Sequence, residues 1–264
     1  MSLSTRLQGI KEILKFDNRV EIIVHHLLRR TSDLCVYRFH PFQVVMLKSG
    51  GDLNGMRACL ATDQYTQFFR IMRLSGPLRV IDLGAHTGGF IFTLLRYGHM
   101  IAAAVSVEQN RATHSRLAFN YALNRLDQCQ ALNAAVWSES VTLAPSDGQG
   151  LTSGQVSESS ADEHVSETIR GYTLNELLMR LEGEANIDVC KIDVEGAEWG
   201  ILTHDSGINL LSERCRYLII EIHPSASPNH VLVQRIESLG FRQLKKCQYG
   251  DETFLFQNNS LANP

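Results

Sequence analysis

Apolar residues recur along this chain with two different periods. Leu7, Ile10, Ile13 and Leu14 keep the three-to-four spacing of one helix face and predict a helix over residues 4–15. Ile22, Ile23, Leu27 and Leu28 repeat that spacing over 20–30, where His25 and His26 read as surface or interface histidines rather than metal ligands. Pro41 breaks the helical character. Residues 42–47 then predict a strand, Ser49-Gly50-Gly51-Asp52 a turn, and residues 56–60 the returning partner of a hairpin. Residues 64–74 predict a helix with Tyr65, Phe68, Phe69 and Met72 on one side, closed by Gly76-Pro77. We place the end of an N-terminal extension there, giving an extension over 1–77 and a main domain over 78–264.

From residue 78 the pattern alternates between short β-rich runs and helical runs, which implies a parallel sheet with crossover helices. The predicted strands are 79–83, 103–108, 131–137, 187–193 and 217–224, with helices at 90–97, 112–123 and 228–239. Thr173 with Glu176 three residues later marks a further helix start as a capping box. Runs 241–247 and 253–257, joined by Tyr249-Gly250-Asp251, predict a closing hairpin and hence one antiparallel strand. Residues 138–167 depart from the alternation. They are rich in Ser and Gly, hold a short strand at 141–143, and read either as a lid over the site or as a disordered surface insertion.

Composition narrows the class. A chain of 264 residues, 44% hydrophobic and 20% charged, buries a full core. The net charge of −3 carries no footprint for nucleic acid, and no run reaches membrane-spanning length. Six scattered cysteines without a Cys-x-x-Cys pair predict reduced core thiols rather than a zinc site. The N-terminus lacks the apolar core of a signal peptide, so the expected location is cytoplasmic. The apolar faces of the first two helices offer a homodimer contact.

The chemistry sits at strand ends. Asp82 closes the first strand of the alternating region, and Gly84, Gly88 and Gly89 follow it into a helix. Strand, glycine turn, helix is the layout of nucleotide-binding α/β folds. The spacing, however, is Asp-x-Gly-x-x-x-Gly, and the acid would repel a pyrophosphate at that helix start. A ligand carrying an ammonium and a sulfonium but no phosphate, S-adenosylmethionine, suits it. Glu108 ends the next strand, placed to accept hydrogen bonds from ribose hydroxyls. The cofactor-binding set is Asp82, Gly84, Ala85, His86, Gly88, Glu108, Gln109, Ala135 and Asp193.

Asp193, Glu195, Glu221 and His223 lie at the ends of the next two strands. Methyl transfer needs an aligned nucleophile and a group to take its proton. His223 and Asp193 are the base candidates, with Glu221 beside them on an alternate position of the same strand. His86 competes for the role from inside the glycine loop. The assignment includes no metal. Mg or Mn on Asp193, Glu221 and His223 is the alternative, because oxygen-rich sets suit those ions.

Three segments carry a family resemblance: Val80-Ile81-Asp82-Leu83-Gly84-Ala85-His86-Thr87-Gly88, Lys191-Ile192-Asp193-Val194-Glu195-Gly196-Ala197-Glu198 and Glu221-Ile222-His223. Together they resemble the FkbM family of class I S-adenosylmethionine-dependent methyltransferases, over roughly residues 42–256. The middle string is the most specific. The family commonly has Asn where His86 stands here. The resemblance implies a Rossmann-like α/β fold with seven strands in the order 3-2-1-4-5-7-6, S-adenosylmethionine as cofactor, and O-methylation of a small molecule such as a sugar or secondary metabolite. Some family members modify peptide carboxylates instead. A non-catalytic cofactor-binding protein and a dinucleotide-dependent oxidoreductase are the rival readings.

Overall fold

The structure is a computed structural model that describes residues 3–28, 33–48, 51–53, 55–145, 156–158, 168–181, 185–203, 208–225, 227–249 and 251–261. Helices α1 (Leu3–Ile13) and α2 (Arg19–Leu28) open the chain, followed by the strands β1 (Leu34–Phe39) and β2 (Phe42–Leu47). A 3-10 turn (Gly51–Leu53), α3 (Met56–Ala61) and α4 (Thr66–Phe69) lead to the main sheet. There the order is β3 (Pro77–Leu83), α5 (Gly89–Arg96), β4 (Met100–Glu108), α6 (Arg111–Leu123) and β5 (Cys129–Asn133). Short strands β6 (Ala135–Val136), β7 (Thr142–Pro145), β8 (Val156–Glu158) and β9 (Ile169–Tyr172) come next. The chain closes with α7 (Leu174–Met179), β10 (Ile187–Ile192), α8 (Glu198–Thr203), α9 (Asn209–Arg214), β11 (Cys215–Ile222), α10 (Asn229–Ser238), β12 (Phe241–Tyr249) and β13 (Asp251–Asn258).

The seven-stranded sheet runs β5-β4-β3-β10-β11-β13-β12. Pairing is parallel through β11, and β13 is antiparallel to both its neighbours. That is the 3-2-1-4-5-7-6 order expected from the resemblance. Each central strand buries both faces, so its side chains divide between two cores. Val80, Val189, Tyr217 and Ile219 join one; Ile81, Leu83, Cys190, Ile192, Leu218 and Ile220 join the other. Residues of the extension, including Phe16, Tyr37, Met46, Met56 and Phe68, belong to the first of these cores. The extension thus roofs one face of the sheet together with α5 and α6.

Three expectations are corrected. The hairpin partner of β2 is β1, with Val36 opposite Val45, and not residues 56–60. Residues 34–39 alternate, with Cys35, Tyr37 and Phe39 inward, whereas Met56, Cys59 and Leu60 are buried at helical spacing in α3. The helix expected over 64–74 is the four-residue α4. The strand expected over 131–137 ends at Asn133, whose side chain donates to the carbonyls of Glu108 and Gln109 and turns the chain into a second sheet, β6-β9-β7-β8. Strands β7 and β8 pair antiparallel inside the expected lid segment. Residues 146–155 and 159–167 of that segment lie outside the described residues. No helix among the described residues is long and apolar enough to cross a membrane.

Candidate active site

The loop after β3 is shaped by what the end of β10 does beside it. Gly84 has φ 77°, and a Cβ there would lie 1.7 Å from the carbonyl oxygen of Asp193. Only glycine permits both the backbone angle and the approach. Its amide and that of Ala85 donate to Val107 O on β4 at 3.0 and 2.9 Å, and Asp193 N donates to Leu83 O at 3.0 Å. Gly88, with φ 102°, is the N-cap of α5. His86 is also left-handed, at φ 51°. Asn and His are among the few non-glycine residues enriched in that region, so the departure from the family's Asn keeps the backbone requirement.

Asp82 is fully buried at the end of β3, level with Lys191 on β10. The Lys191 Nζ lies 3.3 Å from Asp82, 3.2 Å from Asp193, and donates to Gly84 O at 2.9 Å. Burial pushes the Asp82 carboxyl up, and Lys191 opposes the shift. For Lys191, burial pulls down, but Asp193 and Asp82 together hold the ammonium well above its ordinary value. Beyond the Lys191 ammonium, no described donor hydrogen-bonds either oxygen of Asp82.

Glu108 ends β4 beside this trio. Its two oxygens accept from His86 N at 3.0 Å and Asn110 N at 2.8 Å, and each keeps a second lone pair. Burial raises its carboxyl to about 7 against the pull of those two amides. Gln109 is half-buried next to it, and Ala135 is buried in β6.

The far end of the site gathers around His223. Asp193, Glu221 and His223 each bring a donor atom to within 4.8 Å of the others. The sequence argument that β11 projects Glu221 and His223 together agrees with this grouping. The ring Nε2 faces Asp193 Oδ1 at 3.8 Å and Glu195 Oε2 at 3.5 Å. The ring Nδ1 lies 3.1 Å from Glu198 Oε1, which also accepts the His223 amide at 2.7 Å. Glu198 is fully buried, and its other oxygen accepts from Gly196 N at 2.8 Å. Burial pulls the His223 pKa down, but Glu198, Asp193 and Glu195 outweigh it and raise it to about 9. The three carboxylates around the ring favour its protonated form.

Sequence reasoning passed over Lys191 and Glu198 as members of the site and missed Asp52 altogether. The first had a signal, a lysine inside a strand buried on both faces, which needs an acidic partner. Asp52 lies in the extension, fully buried, and accepts from Arg116 Nε at 2.7 Å, Arg116 Nη2 at 2.8 Å and Leu47 N at 2.9 Å. It also lies 3.8 Å from His86 Nε2. The extension therefore backs the glycine loop, although nothing local in its sequence signals it.

A family model of the methyltransferase FkbM domain matches residues 82–243, a narrower span than the resemblance suggested. No curated protein matches the chain. Among solved structures, the methyltransferase FkbM from Methylobacillus flagellatus KT is similar at 16% identity and a TM-score of 0.52, over 71% of this chain and 45% of that one. The METTL16 methyltransferase domain is similar at 13% identity and 0.46, over 73% and 64% of the two chains. TrmK from M. capricolum, solved in complex with S-adenosyl-homocysteine, gives 11% identity and 0.45, over 76% and 70%. The chain spans less than two thirds of the length of the first two. At these identities the first similarity establishes a shared fold, the class I methyltransferase architecture.

Proposed function

The chain belongs to the methyltransferase FkbM domain family, and from that premise we propose that it transfers a methyl group from S-adenosylmethionine to a hydroxyl of a small molecule, of the sugar or secondary-metabolite kind. The observation that carries this reading is the set of acids around a glycine turn with no room for a side chain. Asp82, Asp193 and Glu108 surround Gly84, with one lysine among them. Such a rim rejects a pyrophosphate and accepts ribose hydroxyls and a cationic methionine moiety. Bound there, S-adenosylmethionine supplies a methyl on a sulfonium and leaves as the neutral thioether.

The chain's own residues then have three tasks. Glu108 accepts hydrogen bonds on its remaining lone pairs. Lys191 fixes Asp82 and Asp193, so both acids are held before the ligand arrives. Asp193, Glu221 and His223 receive the acceptor hydroxyl, whose oxygen forms a bond to the methyl carbon as the carbon–sulfur bond breaks and whose proton passes to the cluster. Activation of this kind contributes about 10²–10⁴ in rate.

The test is a cofactor-consumption screen over sugars, hydroxylated metabolites and peptides. With an acceptor in hand, His223→Ala is expected to lower kcat by at least about 10²-fold while cofactor affinity barely moves. Turnover of peptide carboxylates alone would replace the hydroxyl acceptor. Cofactor binding without turnover across the screen, His223→Ala included, would favour a binding protein.

A further inference from the structure

We propose that Asp193, Glu221 and His223 bind one divalent metal ion, which holds the acceptor oxygen. The catalytic use of the ion rests on the methyl-transfer reading above; its binding does not. Three donors of hard and intermediate character, two carboxylates and an imidazole, come from the ends of the adjacent parallel strands β10 and β11 with their ligand atoms within 4.8 Å of one another. Ligands on an octahedral ion at about 2.1 Å stand about 3 Å apart when adjacent, so side-chain rotations close the set without moving the strands. The oxygen-rich set suits Mn²⁺ or Mg²⁺, and the imidazole favours the former.

The second observation is Glu198. It is buried, and it takes both the amide and the ring Nδ1 of His223. A carboxylate on the far nitrogen is the usual outer support of a metal-bound histidine, because it fixes the ring and the tautomer that offers Nε2. Here that leaves Nε2 pointing at Asp193 and Glu195. Glu195 is held there by a left-handed turn, φ 54°, followed by Gly196 at φ 103°. Charge points the same way. Asp193, Glu195, Glu198 and Glu221 meet around one imidazole, while Lys191 is shared with Asp82.

With an ion bound, His223 is a ligand rather than the proton acceptor. Such an ion would supply a Lewis acid that lowers the pKa of the acceptor hydroxyl. Its proton passes to the Glu195 carboxylate, and the oxygen forms its bond to the methyl carbon as the carbon–sulfur bond breaks.

The experiment titrates Mn²⁺ into the full chain and follows loss of the free-ion electron paramagnetic resonance signal. Binding of S-adenosylhomocysteine to the same samples is measured by calorimetry. We expect one Mn²⁺ per chain, weakened about 10-fold or more in Glu221→Gln and about 10–100-fold in Glu198→Gln, and unchanged in Glu252→Gln, which lies outside the cluster. Glu221→Gln is the deciding variant if the buried Glu198 change unfolds the protein. Absence of Mn²⁺ binding in a sample that binds S-adenosylhomocysteine would overturn the metal site and leave the function standing. Equal Mn²⁺ affinity in wild type and Glu221→Gln would overturn it as well. Site-specific Mn²⁺ binding without S-adenosylhomocysteine binding would support the ion and remove the function proposed for it.

Discussion

At the scale of residues, the site is governed by buried acids whose charge has to be balanced. Glu108 makes this testable. Burial raises its carboxyl to about 7 in the free protein, and accepting ribose hydroxyls favours the ionised form. Binding therefore releases a proton below that value. The affinity for S-adenosylhomocysteine is expected to rise as pH rises from 5 and to level off above about 7. Calorimetry across that range checks it, and a slope of the opposite sign would separate Glu108 from the ligand. Asp82, Glu108, Asp193, Glu221 and His223 were legible in the sequence because each ends a strand, and strand ends line the ligand crevice of such sheets. Lys191 lies inside its strand, one residue short of the end of β10, and Glu198 lies past a turn whose left-handed residues have no reliable local signature. Both were therefore read as parts of elements rather than of the site.

At the scale of elements, local signals held where they were strong and self-contained. Thr173 and Glu176 form the capping box that their spacing announced: Thr173 Oγ1 accepts from Glu176 N at 3.3 Å, and Glu176 accepts from Thr173 N at 2.8 Å. This cap starts α7, which buries Leu174, Leu177 and Leu178. Thr173→Ala is expected to cost about 1 kcal/mol in chemical denaturation, and no loss would show that packing alone holds the helix. The first hairpin was misread for a contrary reason. Residues 34–39 alternate clearly, but they follow a helical run closely, while residues 56–60 look strand-like in composition. Only the burial of Met56, Cys59 and Leu60 against the sheet decides for a helix.

At the scale of the whole molecule, the parallel sheet was legible because its strands, helices and closing hairpin each carry their own period. The role of the extension was not, because it is made of contacts distant in sequence: Asp52 to Arg116, and Cys59 and Met56 against Gly89. These contacts set the extension against α6 and the start of α5, and Asp52 also lies 3.8 Å from His86 in the loop before α5, where the cofactor is proposed to lie. The central claim is that this crevice holds S-adenosylmethionine. Its most direct test is calorimetric titration of wild type and Glu108→Ala with S-adenosylhomocysteine, with NADH as the competing ligand. The account predicts one S-adenosylhomocysteine per wild-type chain, about 10–100-fold weaker binding in the variant, and no NADH binding. Equal affinity in the two proteins, or NADH binding in place of S-adenosylhomocysteine, would contradict it.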